Sequence, residues 1–403
     1  MSFCILRSEF IDFPACMSSR PLRVAMLVVD DRHDPRVGSP SLGAAPTALL
    51  EGFAELGPKE IEVHVVSCLK QPDIPPSQLA PNIWYHPLFV PSWAFLRTLH
   101  LGPAFAVRRF LREKIKPDVV HSHGIEWWCG VAGALSGYPS LLTIHGNIRA
   151  ILANSVLKPR AFWQLQATLG DFAIRRHGGV ICISEHVRKS VATASRKTWL
   201  IPNALRKEFL RTQTATIERS GRPLLLVVGT ITENKRPLEM LEILFALHGE
   251  GTEFEVAFIG HLGTCGVYAR RFAARLEEAA RLGFALHKEH LDAAALAKTM
   301  AQADALLHFP MDEAFGLVVA EAISQGLTVF ASNVGGIREV ALGYPKCHLV
   351  GRQDFDGLLC QLRSYIKTIS KHSCKYGSDA LTSRFSPQLI GQKTIQAYSE
   401  VLA

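Results

Sequence analysis

Apolar runs of strand length recur along this chain, each followed by a glycine- or proline-rich break and then by a stretch with helical spacing. The first covers residues 23–29; Asp30, Asp31 and a Pro/Gly/Ser-rich loop lead to Gly43, and a helical pattern runs over residues 46–56. Strand, glycine loop, helix is how a doubly wound parallel sheet begins. Further strands are expected at residues 61–67, near 83–85, and ending at 119–124, 140–146, 179–185 and 199–204, with the proline-rich stretch 71–91 as a surface connection. Residues 206–222 are polar and basic with little periodicity, which suits a linker. The same grammar then restarts, with strands expected at residues 224–228, 255–259, near 284–287, 305–309 and 328–331. A last amphipathic stretch, periodic in Leu389, Ile390, Ile395, Tyr398 and Val401, closes the chain as a helix. The pattern therefore predicts an α/β protein of two doubly wound domains, residues 21–205 and 206–385, after an extension of residues 1–20 for which Met17 is an alternative start.

Composition narrows this reading. With 403 residues and 48% hydrophobic positions, each half can bury its own core. The net charge of +8 suits acidic partners such as sugar nucleotides and anionic lipid headgroups. No basic tract with interleaved aromatics and no zinc-finger spacing occurs, so nucleic acid is not expected as a partner. Nine scattered cysteines without a C-x-x-C pair read as reduced residues of a cytoplasmic protein. No run approaches the ~20 apolar residues of a membrane-spanning helix. The stretch 104–115 carries Arg108, Arg109, Arg112 and Lys114. It reads either as a crossover helix with a solvated basic face or as a patch for peripheral contact with anionic membrane.

Candidate chemistry concentrates in the stretch from Ala303 to Ala322. An apolar run is broken by Pro310, and a short acidic loop leads through Gly316 into a second apolar segment. The first turn of the helix predicted there offers unpaired N–H groups and the positive end of a dipole at Phe315, Gly316 and Leu317, suited to a diphosphate. Glu313 precedes that helix end and Glu321 lies about two turns inside it. Taken alone, the two glutamates read better as a helix-start carboxylate and a charge at the edge of a buried face. Gly229 and Gly260 end two strands where bare backbone would let a nucleotide approach. His121, His123 and His145 lie at strand ends near the expected cleft; no Cys, Asp or Glu follows at ligand spacing, so a metal is not expected.

The order of these features resembles the donor-site signature of the retaining nucleotide-sugar glycosyltransferases of the GT-B fold, glycosyltransferase family 4. The matching features are Asp304, the proline-ended strand, Glu313 and Glu321 bracketing Phe315-Gly316-Leu317, and Gly335-Gly336-Ile337-Arg338-Glu339. The resemblance implies two Rossmann-like domains facing across a cleft, with the closing helix, residues 386–403, crossing back onto the first. It implies a retaining, metal-independent enzyme without a cofactor, moving a hexose-type sugar from a nucleotide diphosphate to a hydroxyl of a glycan or lipid-linked acceptor. Glu313 would then orient the transferred sugar, Glu321 would hold the ribose, and His145, at the Thr-x-His position, would contact the sugar near the reaction centre. Gly43 would approach the phosphate or acceptor. After Gly229, the sequence Thr230-Ile231-Thr232-Glu233-Asn234-Lys235 keeps the lysine that grips the donor diphosphate and has Thr230 in place of the arginine; Arg236 is expected to restore that charge. Two other classes fit the same features: a GT-B sugar-nucleotide epimerase, which would turn over donor without acceptor, and a non-catalytic sugar-nucleotide-binding subunit, which would turn over none.

Overall fold

The structure, a computed structural model, describes residues 20–30, 32, 42–125, 127–146, 160–210, 216–218, 221–262, 266–369, 372–374 and 379–403. The extension expected before Arg20 lies outside them. The first domain is built on β1 (Leu22–Leu27), β2 (Ile61–Leu69), β3 (Ser77–Ala80), β4 (Ile83–Phe89), β5 (Val119–His123), β6 (Ser140–Ile144), β7 (Gly179–Cys182) and β8 (Thr198–Leu200). They lie in the order β3-β4-β2-β1-β5-β6-β7-β8, parallel throughout except for the antiparallel β3–β4 edge. Strand β3 was not expected: Ser77-Gln78-Leu79-Ala80 has no apolar run because it is an edge strand facing solvent.

Beyond β9 (Thr216–Glu218), the second domain holds β10 (Leu224–Val228), β11 (Glu255–Ile259), β12 (Ala285–Lys288), β13 (Ala305–His308), β14 (Thr328–Ser332) and β15 (Cys347–Val350), all parallel, in the order β12-β11-β10-β13-β14-β15. Strand β10 is Leu-Leu-Leu-Val-Val because both of its faces are covered. Leu225 and Val227 pack with Phe258 and Phe272 on one side, and Leu226 packs with Leu306 and Val319 on the other. Within the expected linker, Lys207–Phe209 forms a turn and buries Phe209 in a hydrophobic cluster that residues of both domains share. Further along, β9 pairs antiparallel with β16 (His372–Cys374).

The helices that matter for the site are α1 (Ala44–Leu56), α2 (Leu101–Phe110), α3 (Glu185–Val191), α4 (Pro237–Gly249), α5 (Leu317–Ser324), α6 (Ile337–Ala341) and α7 (Pro387–Leu402). The closing helix α7 packs against α1 of the first domain. Glycine makes that crossing close: a Cβ on Gly52 would stand 2.1 Å from the Pro387 carbonyl oxygen. Tyr398 of α7, fully buried, then reaches into the first domain's sheet. No helix among the described residues is long and apolar enough to cross a membrane.

Candidate active site

The loops at the carboxyl ends of β10 and β13 are tied together by one side chain. Asn234 donates from Nδ2 to the Asp312 carbonyl (3.1 Å) and accepts from the Asp312 N–H (3.2 Å), while its own carbonyl accepts from Met311 N–H (2.8 Å). This clamp sets Lys235 beside Glu313. Lys235 Nζ lies 2.5 Å from Glu313 Oε2, and His308 Nε2, at the end of β13, lies 3.0 Å from the same oxygen. Burial alone would raise the Glu313 pKa, but the Lys235 charge and the His308 hydrogen bond outweigh it and hold the carboxyl well below the usual range. Burial lowers the pKa of His308 despite its bond to Glu313, so the ring is neutral and donates from Nε2. One oxygen of a locked, ionised carboxylate is thus doubly held.

Backbone packing beneath this carboxylate explains the Gly-Gly pair. Gly335 has φ +50° and a Cβ there would meet the Glu313 carbonyl oxygen at 1.9 Å; one on Gly336 would meet the Ala314 carbonyl oxygen at 2.4 Å. Gly336 N–H donates to the Glu313 carbonyl at 2.9 Å. The two glycines are therefore the platform for the loop that carries Glu313. Gly316, at φ +91°, turns the chain into α5 and offers no capping side chain. Phe315 is 4% exposed and packs edge-on against Phe385, so it can meet a ligand only through its backbone. Inside α5, Glu321 is 3% exposed, and its Oε1 accepts from Arg206 Nε (3.0 Å) and Nη2 (2.7 Å). Its burial raises its pKa, against the lowering effect of Arg206.

The two strand-end glycines differ. A Cβ on Gly260 (φ +155°) would lie 2.0 Å from the Gly229 carbonyl oxygen, so the protein itself requires that glycine. Gly229 (φ +144°) has nothing within 4 Å of a Cβ, leaving open backbone beside the exposed Thr230. Gly43, at the start of α1, would meet only Pro46 at 3.7 Å, so the fold does not demand a glycine there. Arg236 sits at φ +54° before α4 with its guanidinium on the Arg352 carbonyl and over the Phe355 ring, 5.5 Å from the centroid. In this arrangement it is engaged away from Glu313, which Lys235 holds.

On the first domain, the β5–β6 register sets His123 opposite Thr143. His123 Nδ1 lies 3.0 Å from His145 Nε2. His121 uses both ring nitrogens, Nδ1 with the Tyr398 hydroxyl (2.6 Å) and Nε2 with Thr143 Oγ1 (2.7 Å), which ties β5 to β6 and α7. Burial lowers the pKa of His145 to about 4 and of His121 to about 3. Among the described residues no group of three His, Cys, Asp or Glu side chains is placed to hold a metal ion.

Comparison with known proteins gives this arrangement its family. Residues 47–209 match Glycosyltransferase Family 4, and residues 211–350 match Glycosyl transferases group 1. The chain belongs to the GT-B glycosyltransferases. The GPI3 subunit of phosphatidylinositol N-acetylglucosaminyltransferase from Saccharomyces cerevisiae strain YJM789 is 26% identical over 255 residues, covering 57% of this chain and 51% of that protein, so the chain spans about half the length of this relative. Sucrose-phosphate synthase from Thermosynechococcus elongatus shares the fold at TM-score 0.76 and 18% identity, over 94% of this chain and 99% of that one. Anabaena HepE, in complex with UDP-glucose, does so at TM-score 0.70 and 15% identity, over 94% and 100%.

The glycosyltransferase also has contacts across its cleft that the sequence did not announce. Glu339 of α6 accepts from the Glu185 N–H (2.9 Å) and the His186 N–H (3.2 Å), capping α3 of the opposite domain. Ser184 Oγ donates to the Ala314 carbonyl at 2.6 Å, and His186 Nε2 lies 3.3 Å from Asp312 Oδ1. His308 and Arg206 are site residues that sequence reasoning missed, and Asn234 and Glu339, noted only as parts of motifs, had no role assigned to them. A histidine closing an apolar strand was a usable signal for His308. Arg206 meets Glu321 across 115 positions, a pairing no local pattern carries.

Proposed function

We propose that this glycosyltransferase is retaining and metal-independent, and moves a hexose from a nucleotide diphosphate donor to a hydroxyl of a glycan or lipid-linked acceptor. The observation that carries the reading is the Lys235–Glu313–His308 cluster, held at the entry to α5 by Asn234 and the Gly335-Gly336 platform. A diphosphate at the α5 end competes with Glu313 for Lys235, and His308 keeps Glu313 oriented when the lysine turns to the phosphate. Glu313 then accepts from hydroxyls of the sugar, His145 contacts it from the other domain, and Glu321, aligned by Arg206, accepts from the ribose. As the bond from the anomeric carbon to the diphosphate oxygen breaks, its electron pair stays on the diphosphate. Lys235 and the first-turn N–H groups of α5 stabilise that charge as preorganised donors. The acceptor oxygen bonds the anomeric carbon on the same face, and its proton leaves on the diphosphate, so the configuration is kept.

Action at the cytoplasmic face of a membrane fits the same reading. The yeast relative is a phosphatidylinositol N-acetylglucosaminyltransferase subunit, named for a lipid acceptor. On this chain, α2 exposes Leu101 (42%) and Phe105 (65%), followed by Arg108 and Arg109, with Arg112 on the π-helical turn Leu111–Ile115 that continues it. The proposal is tested by sugar transfer from a panel of nucleotide diphosphate hexoses to lipid and glycan acceptors, with product anomers read by NMR. Transfer with the donor's configuration, lost in Glu313→Ala, is expected. Donor turnover equally fast without acceptor, or transfer unaffected by Glu313→Ala, overturns it.

A further inference from the structure

The β5–β6 pairing puts His121, His123, Thr143 and His145 on one face of the sheet, toward α1 and α7. His121 is saturated by Tyr398 and Thr143, and its ring stands 4.2 Å from that of His123. His123 is 6% exposed, and its buried Nε2 has no partner among the described residues; the ring lines a small cavity shared with Leu49, Ile181, Ile201, Asn203 and Thr394. Its Nδ1 is committed to His145 Nε2 at 3.0 Å.

Only one proton occupies the hydrogen bond between two neutral rings, so the tautomer of each fixes that of the other. Were His145 to donate from Nε2, His123 would carry its N–H on Nε2, a buried donor without an acceptor among the described residues. With the proton on His123 Nδ1, Nε2 presents only a lone pair, and orphaned acceptors are the more tolerable kind in protein interiors. The geometry points to His123 as a positioning residue that donates from Nδ1 to His145 and thereby holds His145 as its Nδ1–H tautomer. His145 Nδ1 is then a fixed donor for an oxygen of the bound sugar or acceptor, a consequence that rests on the proposed role of His145 in transfer. Burial keeps both rings neutral, since it lowers the pKa of each. The β5 histidine thus aligns its neighbour without touching substrate.

The test is 15N NMR of histidine-labelled full-length protein, with the His145 signals identified by their loss in His145→Gln. The wild type is expected to show His145 protonated on Nδ1. His123→Asn, whose amide N–H can stand where Nδ1–H stood, should keep that tautomer and nearly all turnover. His123→Leu should give a mixture of tautomers and lower kcat on the order of 10- to 100-fold with little change in KM, the scale of a misplaced catalytic group. An Nε2–H tautomer in the wild type, or an unchanged Nδ1–H signal in His123→Leu, overturns the inference, and the wild-type spectrum alone decides it should a variant fail to fold. Full transfer by His145→Gln together with the Nδ1–H tautomer in the wild type instead overturns the role of His145 and leaves the alignment standing.

Discussion

At the scale of residues, the candidate site rests on charges that neutralise one another, Lys235 with Glu313 and Arg206 with Glu321. Lys235 is expected to bear most of the leaving-group stabilisation, so Lys235→Ala should lower kcat on the order of 100-fold or more in a transfer assay. Arg236 is bound to the Arg352 carbonyl. Arg236→Gly should therefore cost less than Lys235→Ala, and equal losses would show that the guanidinium moves to the phosphate on binding. The buried histidines give a pH dependence of stability. The folded pKa values of His145 and His177 are lowered to about 4, and that of His121 to about 3, by burial. Each lies below the unfolded value of about 6.5, so the unfolded chain binds protons first as pH falls. Stability from these rings is complete above about pH 6.5 and is lost toward pH 4, by about 1.4 kcal/mol per pH unit for each ring between its two values. Urea midpoints that stay flat from pH 7 to pH 5 would contradict this account of the histidine cluster.

At the scale of elements, a helix of one domain is capped by a carboxylate of the other. A side-chain cap is worth about 0.5–2 kcal/mol. Glu339→Ala should accordingly weaken donor binding by about 2- to 30-fold in calorimetry, and an unchanged affinity would mean that α3 and α6 need not meet when donor is bound. Much at this scale was legible in the sequence. Strands β10 and β11 have the limits their apolar runs announced, and α7 runs from Pro387 to Leu402, as its periodicity indicated. Short or polar elements were not legible: β3 carries no apolar run, and β15, Cys-His-Leu-Val, is too brief and mixed to stand out. The candidate site was legible where a local pattern holds it, as in Glu313, Phe315 to Leu317 and the Gly-Gly pair. It was not legible where the partner is distant in sequence, as with Arg206 on Glu321 and Glu339 on α3, because only the packed fold brings those residues together.

At the scale of the whole molecule, two Rossmann-like domains are joined through the core by Phe209 and through α7, and the basic, apolar-tipped face of α2 lies on the first. Replacing Arg108, Arg109 and Arg112 by Ser should weaken binding to anionic vesicles by about 1 kcal/mol per charge while leaving binding of soluble donor intact. If the parent protein does not sediment with such vesicles at low salt, the membrane reading of that face fails. The central claim is that the cleft between the domains binds a nucleotide diphosphate sugar through Lys235, Glu313 and Glu321. It is tested most directly by unfolding the protein against uridine, guanosine and adenosine diphosphate sugars. At about 100 times its dissociation constant, one of these should add roughly 2.7 kcal/mol of apparent stability, a gain much reduced in Glu321→Ala. A folded protein that none of the three nucleotide series stabilises, or a gain that survives both Lys235→Ala and Glu321→Ala, would contradict the account.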